Sequence, residues 1–407
     1  MQRFTAERGL IRLLGPAFVA AIAYVDPGNV AANLSAGAGY GYLLVWVLVL
    51  ANLMAVIVQY LSAKLGLVTG QSLPEVVGGH LGRPARLAYW VQAEITIAAT
   101  DLAEVIGGAI ALQILFGVPL PIGGIIVGVI SLLLLSVQSW RGQRPFEFVI
   151  MGLLLVIAVG FVAGIFFAPM DWSAAAHGLI PGFQGSETVL LAASMIGATV
   201  MPHAVYLHSS LSRDRHGAST EPGRINRLLR ATRWDVLIAL GFAGCVNIAM
   251  LLLAAAALPG VPGTDTIQGA AAAISEHLGA GIGVIFGIGL LASGLASTSV
   301  GAYAGSAVMA GLIRKRIPLL VRRAVTIIPA ILVLLVGVDG TWALVLSQVV
   351  LSLGIPFALI PLVWFTSRRR VMGAFTNRLP LIAAGVAIAV AIVALNVVLI
   401  VLTVTGA

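Results

Sequence analysis

Two short polar runs interrupt an otherwise apolar chain. They read Ala23-Tyr24-Val25-Asp26-Pro27-Gly28-Asn29 and Gly197-Ala198-Thr199-Val200-Met201-Pro202-His203. Asp-Pro-Gly-Asn is turn chemistry. Proline inside a helix removes a hydrogen bond and collides with the carbonyl four residues back. Pro27 cannot donate to the carbonyl of Ala23, nor Pro202 to that of Ala198, so each run frees a backbone acceptor. Asp26 adds a carboxylate, and Asn29 adds an amide oxygen about one turn on. The half-helices upstream of each break also point their negative ends at the gap. Such a set attracts a cation and repels a carboxylate. Met201 adds a thioether, a soft ligand and a poor one for Mg²⁺ or Ca²⁺. A mixed oxygen and sulfur shell favours a transition metal such as Mn²⁺ or Fe²⁺. The ordinary role of methionine is apolar packing, and that alternative stands beside the ligand reading.

A second group of acids lies in one long apolar segment: Glu94, Asp101 and Glu104. In a helix, residues 94 and 101 nearly eclipse, and residue 104 lies about 60° from 101. A carboxylate at the bilayer centre costs at least ~2.5–3.5 kcal/mol unless it is paired or protonated. Arg322 and Arg323, at the start of a later apolar run, are the natural partners. Such a network can be static, or it can exchange partners and pass a proton. His203, beside the second break, is able to titrate near neutrality or simply to satisfy a backbone carbonyl; His208 lies on a different face. The glycine- and serine-rich stretch 293–305 suits close helix contact. Cys245 reads as packing, and as the one cysteine in the sequence it excludes an intrachain disulfide or a cysteine metal cluster.

These residues need a membrane to hold them. Of 407 residues, 60% are hydrophobic and 9% charged, and the mean hydropathy is +1.06. A soluble domain carries roughly 25% charged residues, so a water-soluble enzyme, a nucleic-acid binder and a disordered chain are excluded. Apolar runs long enough to cross ~30 Å of hydrocarbon number eleven, at about 10–33, 43–68, 88–115, 121–138, 146–168, 186–210, 234–257, 279–311, 319–337, 343–366 and 380–404. The first run lacks the cleavage site of a signal peptide. All 23 Lys and Arg fall on one side of this arrangement, among them Arg3, Arg8, Arg12, Arg141, Arg213, Arg316 and Arg368, while acids such as Asp171, Asp265 and Asp339 mark the other. Basic loops stay in the cytoplasm. The N-terminus is therefore expected inside and the C-terminus outside, in a multi-pass protein of the cell membrane, of the bacterial inner-membrane kind. The net charge of +8 is a topology signal, with no nucleic acid required.

The breaks fall in spans one and six, five spans apart. Five is odd, so a repeated five-span unit must be inverted in the membrane. Paired interruptions in two halves point to a transporter's binding site. The expectation is an all-α membrane protein with a 5+5 inverted repeat and broken helices one and six. It forms one domain over 1–404, with halves of about 10–168 and 186–366 and an added helix at 380–404.

Asp26-Pro27-Gly28-Asn29 together with Met201-Pro202-His203 resembles the Nramp family of proton-coupled divalent metal transporters. Gly197-Ala198-Thr199-Val200, Tyr206-Leu207-His208-Ser209, Thr100-Asp101-Leu102-Ala103-Glu104 and Ser347-Gln348-Val349 fit the same pattern, so the resemblance covers nearly the whole chain. It implies a LeuT-type fold and import of Mn²⁺, Fe²⁺ and similar metals such as Cd²⁺, together with protons, by alternating access. The implied metal ligands are Asp26, Asn29, Met201 and the Ala198 carbonyl, with Ala23 and Gln348 assisting. The implied proton route uses Asp26, His203, Asp101 and Glu104, flanked by Glu94, Arg322 and Arg323. Related carriers of Mg²⁺ lack the methionine. The competing reading is a sodium-coupled amine or amino-acid carrier of the same fold, although Asp26 disfavours a substrate carboxylate. There is no His-Glu-x-x-His, Gly-x-Ser-x-Gly or nucleotide loop, so no enzyme and no cofactor are expected. The partners are metal ions, protons and lipid; the oligomeric state stays open, and a monomer is sufficient.

Overall fold

The computed structural model describes residues 15–264, 266–315 and 318–405. Arg3, Arg8, Arg12, the first residues of span one, Asp265 and Arg316 lie outside them. Among the described residues the elements are helices, with no strand.

Span one is two pieces. Helix α1 (Pro16–Ile22) passes into a single 3-10 turn, Ala23–Val25; Asp26 is extended, and α2 (Pro27–Tyr40) begins afresh. The chain continues through α3 (Val45–Thr69), the short α4 (Leu73–His80) and α5 (Arg83–Phe116). Next come α6 (Leu120–Arg141), α7 (Gln143–Val162) and the short α8 (Trp172–His177). Span six is again two pieces, α9 (Gly185–Thr199) and α10 (Pro202–His216). Then follow α11 (Pro222–Ala257), the connecting α12 (Ile267–Leu278), α13 (Ala280–Leu312) and α14 (Leu319–Val336). The last are α15 (Gly340–Thr366), the short α16 (Arg369–Met372) and α17 (Leu379–Thr405). Among the described residues, 8 segments are long and apolar enough to cross a bilayer, counting α9–α10 as one. The remaining three expected spans are occupied by α1–α2, α6 and α14.

Both breaks have the same local cause. Pro27 and Pro202 each stand at the first position of a new helix, where a missing N–H costs nothing, and the residue before each is extended. Boundaries move outward at the basic end. Span six was expected to stop near 210, yet α10 runs on to His216, and α11 starts at Pro222 with Arg224, Arg227, Arg230 and Arg233 on its first turns. Helical hydrogen bonds are local, so a helix continues past the apolar stretch wherever polar side chains find partners.

The interior is built by close helix contact. Along the α5–α13 crossing, Gly294 faces the backbone of Gly108 and Glu104, so the serine- and glycine-rich stretch does admit a close approach. Many large apolar side chains face outward, including Leu53, Ile95, Leu133, Leu155, Val325 and Val390, as a lipid-facing surface requires. Cys245 is also exposed, which corrects the packing reading: its face of α11 is an outer one. Helix α17 lies at the edge, tied to α15 by a reciprocal pair in which Ser352 Oγ donates to Asn396 Oδ1 at 2.7 Å and Asn396 Nδ2 donates to the Ser352 carbonyl at 2.8 Å.

Candidate functional site

Asp26 caps α2. Its Oδ1 accepts the Asn29 backbone N–H at 2.8 Å and the Asn29 Nδ2 at 2.7 Å. The same Nδ2 donates to the Ala198 carbonyl at 2.8 Å, so one amide ties the two breaks together. This refines the electrostatics. Each break holds not only the negative end of an upstream half-helix but also the positive start of α2 or α10. One carboxylate oxygen of Asp26 is committed to that positive end.

What remains is a set of buried acceptors. Asp26 Oδ2, Asn29 Oδ1 and Gln348 Oε1 have no hydrogen-bond partner among the described residues. Gln348, from α15, reaches the break because Gly28 has no side chain; a Cβ there would run into the Gln348 amide. The Gln348 backbone carbonyl in turn faces Gly197 on α9. Met201 is fully buried at the start of α10. Ala23 opens the 3-10 turn and is also buried. The adjoining carbonyls of Tyr24 and Val25 are taken by Asn247 Nδ2 at 2.5 Å and Ser293 Oγ at 2.6 Å. Those two side chains make a broken backbone tolerable at this depth. Three buried oxygens without partners among the described residues, at breaks that also hold the thioether of Met201, are chemistry suited to a cation of intermediate softness.

The acids lie one helix away. Gly107 of α5 packs against the Pro27 ring, which puts Glu104, three residues earlier, within a turn of the break. The carboxylates of Asp101 and Glu104 both face Gly301 on α13. Arg323 Nη1 lies 3.1 Å from Asp101 Oδ1, with both side chains 0% exposed. Arg323 Nε also donates to Ser131 Oγ at 3.0 Å. Arg322 Nη2 lies 2.6 Å from Glu94 Oε1, and its guanidinium rests on Gly305. Buried ions survive only when paired and hydrogen-bonded; here α14 supplies the cations, α5 the acids and α13 the glycine floor. His203 Nδ1 is 3.2 Å from Thr100 Oγ1, so it joins α10 to the acid-bearing helix.

Several contacts escaped sequence reasoning. His208 pairs with Gln59 at 2.9 Å, and Gln59 donates to the Tyr24 hydroxyl at 2.7 Å. Asn33 donates to Asn247 Oδ1 at 3.0 Å. Asp235 of α11 accepts from Gly15 N at 3.1 Å and Ala17 N at 3.0 Å, which satisfies the first turn of α1. Glu147 packs on Gly15, whose φ of 142° and absent side chain permit the approach, and lies 3.6 Å from Arg215. Polar residues inside apolar runs were the available signal, but their partners lie far away in sequence. Nearby, Glu75 bonds Ser72 in a capping box and pairs with Arg213. Burial alone would raise the Glu75 carboxyl; the Ser72 N–H and the Arg213 charge outweigh it and hold the group below its ordinary value.

Fold and site together define an all-helical membrane protein with a cluster of buried, unpartnered oxygens where two broken helices meet. Comparison with known proteins gives it a family. The chain matches the Nramp family model, natural resistance-associated macrophage protein-like, over residues 17–402 and belongs to that family. It is 62% identical over 394 residues to the divalent metal cation transporter MntH of Mycobacterium tuberculosis (strain CDC 1551 / Oshkosh), covering 97% of this chain and 92% of that one. The crystal structure of the Eremococcus coleocola manganese transporter, in complex with an aromatic bis-isothiourea substituted compound, superposes with a TM-score of 0.87 at 30% identity, covering 96% of this chain and 86% of that one. The nucleobase-cation-symport-1 family transporter Mhp1 shares the fold alone, with a TM-score of 0.62 at 16% identity over 95% of this chain and 89% of that one. The architecture is therefore LeuT-like. The chain is a transporter of the Nramp family, and these relatives are named as transporters, not as enzymes.

Proposed function

We propose that this chain imports divalent transition metals, Mn²⁺ and Fe²⁺ with Cd²⁺ as a softer surrogate, together with protons, by alternating access across the cell membrane. The observation that carries the reading is the buried triad of unpartnered oxygens, Asp26 Oδ2, Asn29 Oδ1 and Gln348 Oε1, beside the buried Met201. The named substrates of the relatives support the metal. In this reading Asp26, Asn29, Met201 and the Ala198 carbonyl hold the ion, with Ala23 and Gln348 assisting. The Ala198 carbonyl accepts from Asn29 Nδ2 and keeps a second lone pair for the ion, so the bond that joins the two breaks lies in the ligand set itself. The halves, 10–168 and 186–366, then rock around that point, with 380–404 outside the repeat. The N-terminus and the basic connections face the cytoplasm, following the positive-inside rule. Protons leave through Asp26, His203, Asp101 and Glu104, tuned by Glu94, Arg322 and Arg323.

The test is radiolabelled Mn²⁺ uptake into proteoliposomes, with and without an inward pH gradient. Uptake stimulated by the gradient is expected, and Asp26→Ala should abolish it while the protein stays monodisperse. Uptake that ignores the gradient would remove the proton coupling, and full uptake by Asp26→Ala would remove the site.

A further inference from the structure

Away from the transport site, the outer surface carries a groove of about 660 Å³ between α15 and α17. Its walls are apolar, formed by residues such as Val363, Trp364, Val386 and Val390, and it ends at Ser367 and Arg368. The groove has an identifiable cause. The two helices are clamped together by Ser352 and Asn396. Toward the arginine-rich connection they part, and Trp364, Val386 and Val390 are left exposed. The volume falls in the usual range for a small-molecule site, yet the shape is an open furrow facing lipid.

The polar end decides the occupant. The Arg368 guanidinium stacks 3.8 Å from the centroid of the Trp364 ring. Stacking uses the face of the guanidinium and leaves its N–H edge available for a planar or tetrahedral oxyanion. Arg369 and Arg370 follow directly and are exposed. Among the described residues no carboxylate pairs with any of the three. Ser367 Oγ, on the groove wall, is buried without a hydrogen-bond partner among them. An apolar furrow ending in three uncompensated cations and an unsatisfied hydroxyl is complementary to an acyl chain joined to a phosphate.

We propose that this groove is a binding site for an anionic phospholipid of the leaflet that the α15–α17 connection faces. The acyl chain lies along Val386 and Val390, and the phosphodiester sits on Arg368 and Ser367, with Arg369 and Arg370 adding charge. An ordinary lipid annulus would not distinguish headgroups. This site does, because each arginine near the membrane surface favours an anionic lipid about fivefold. A second copy of the chain would bring the same three cations to the interface and is disfavoured.

The experiment is native mass spectrometry of the full chain, released from detergent after incubation with equal amounts of phosphatidylglycerol and phosphatidylcholine. The wild type is expected to retain phosphatidylglycerol preferentially as one adduct. Arg368→Gln should cut that preference about fivefold. Val386→Trp, which fills the furrow without touching the charges, should lower retention of phosphatidylglycerol while the protein stays monodisperse. Equal retention of the two lipids by wild type, or an unchanged preference in Arg368→Gln, would overturn the proposal. So would a dimer that Val386→Trp dissolves, since the groove would then belong to a second copy.

Discussion

Asn29 carries more of the site than its size suggests. Its Nδ2 bonds both Asp26 and Ala198, and its Oδ1 is one of the free acceptors. Under the proposed metal reading, Met201 plays a different part. Oxygen ligands alone discriminate weakly against Ca²⁺ and Mg²⁺, which prefer all-oxygen shells. A thioether offers hard cations one poor ligand and soft cations one good one. Met201→Ala should therefore keep some Mn²⁺ uptake, weaken Cd²⁺ binding and let Ca²⁺ or Mg²⁺ compete. A change of ~1.4 kcal/mol shifts preference tenfold, which a competition uptake assay resolves. Unchanged Cd²⁺ affinity together with unchanged Ca²⁺ exclusion would reduce Met201 to packing.

At the scale of elements, two tethers outside the site are open to measurement. The Glu75–Arg213 pair fastens α4 to the end of α10. The folded-state value of Glu75 is lowered, so its contribution to stability is full above the ordinary carboxylate value and is lost as pH falls through the lowered one. Thermal denaturation in detergent between neutral and acid pH should show the wild type losing stability faster than Glu75→Gln. Parallel curves would mean that the pair contributes nothing. The Ser352–Asn396 clamp holds α17 within the bundle. Asn396→Ala should cost about 0.5–1.5 kcal/mol, the usual range for an interhelical hydrogen bond in a membrane. Ser352→Ala should add less than its own cost in the double variant, because both changes remove one interaction. Full additivity would show that the two groups act independently.

At the scale of the whole molecule, two contacts join the breaks to the acid-bearing helix: Gly107 against Pro27, and Thr100 against His203. Asp101 and Glu104 lie on the neighbouring helix, where both face Gly301 and Asp101 pairs with Arg323, and neither hydrogen-bonds the Asp26–Asn29 pair. Under the proton-coupled reading, Asp101→Asn and Glu104→Gln should impair proton movement more than metal binding. Paired measurements of internal pH and Mn²⁺ uptake in proteoliposomes test this. Wild-type proton flux in both single variants and in the double variant would leave a purely structural network. Asp101→Asn is also expected to lower stability, because Arg323 would then be a buried charge short of its partner.

Gln348 entered only through the family resemblance, whereas the membrane, the helical class, the two breaks and the positions of Asp26, Asn29 and Met201 within them were legible in the residues themselves. Each rests on a local rule: apolar run length sets a span, and proline beside polar residues sets an interruption. Charge placement set the expected topology in the same way. The tertiary structure decided the rest. Nothing local to Asp235 says that it will receive the first turn of α1, since that contact joins residues 220 apart in sequence. Nor does anything local assign the Asn29 amide to Ala198, 169 residues away. Cys245 could not be placed because α11 is apolar on several faces, and only packing chooses which of them meets lipid. A hydrophobic solvent makes apolar residues uninformative about inside and outside, so polar partners found across helices carry the specificity that periodicity carries in a water-soluble protein.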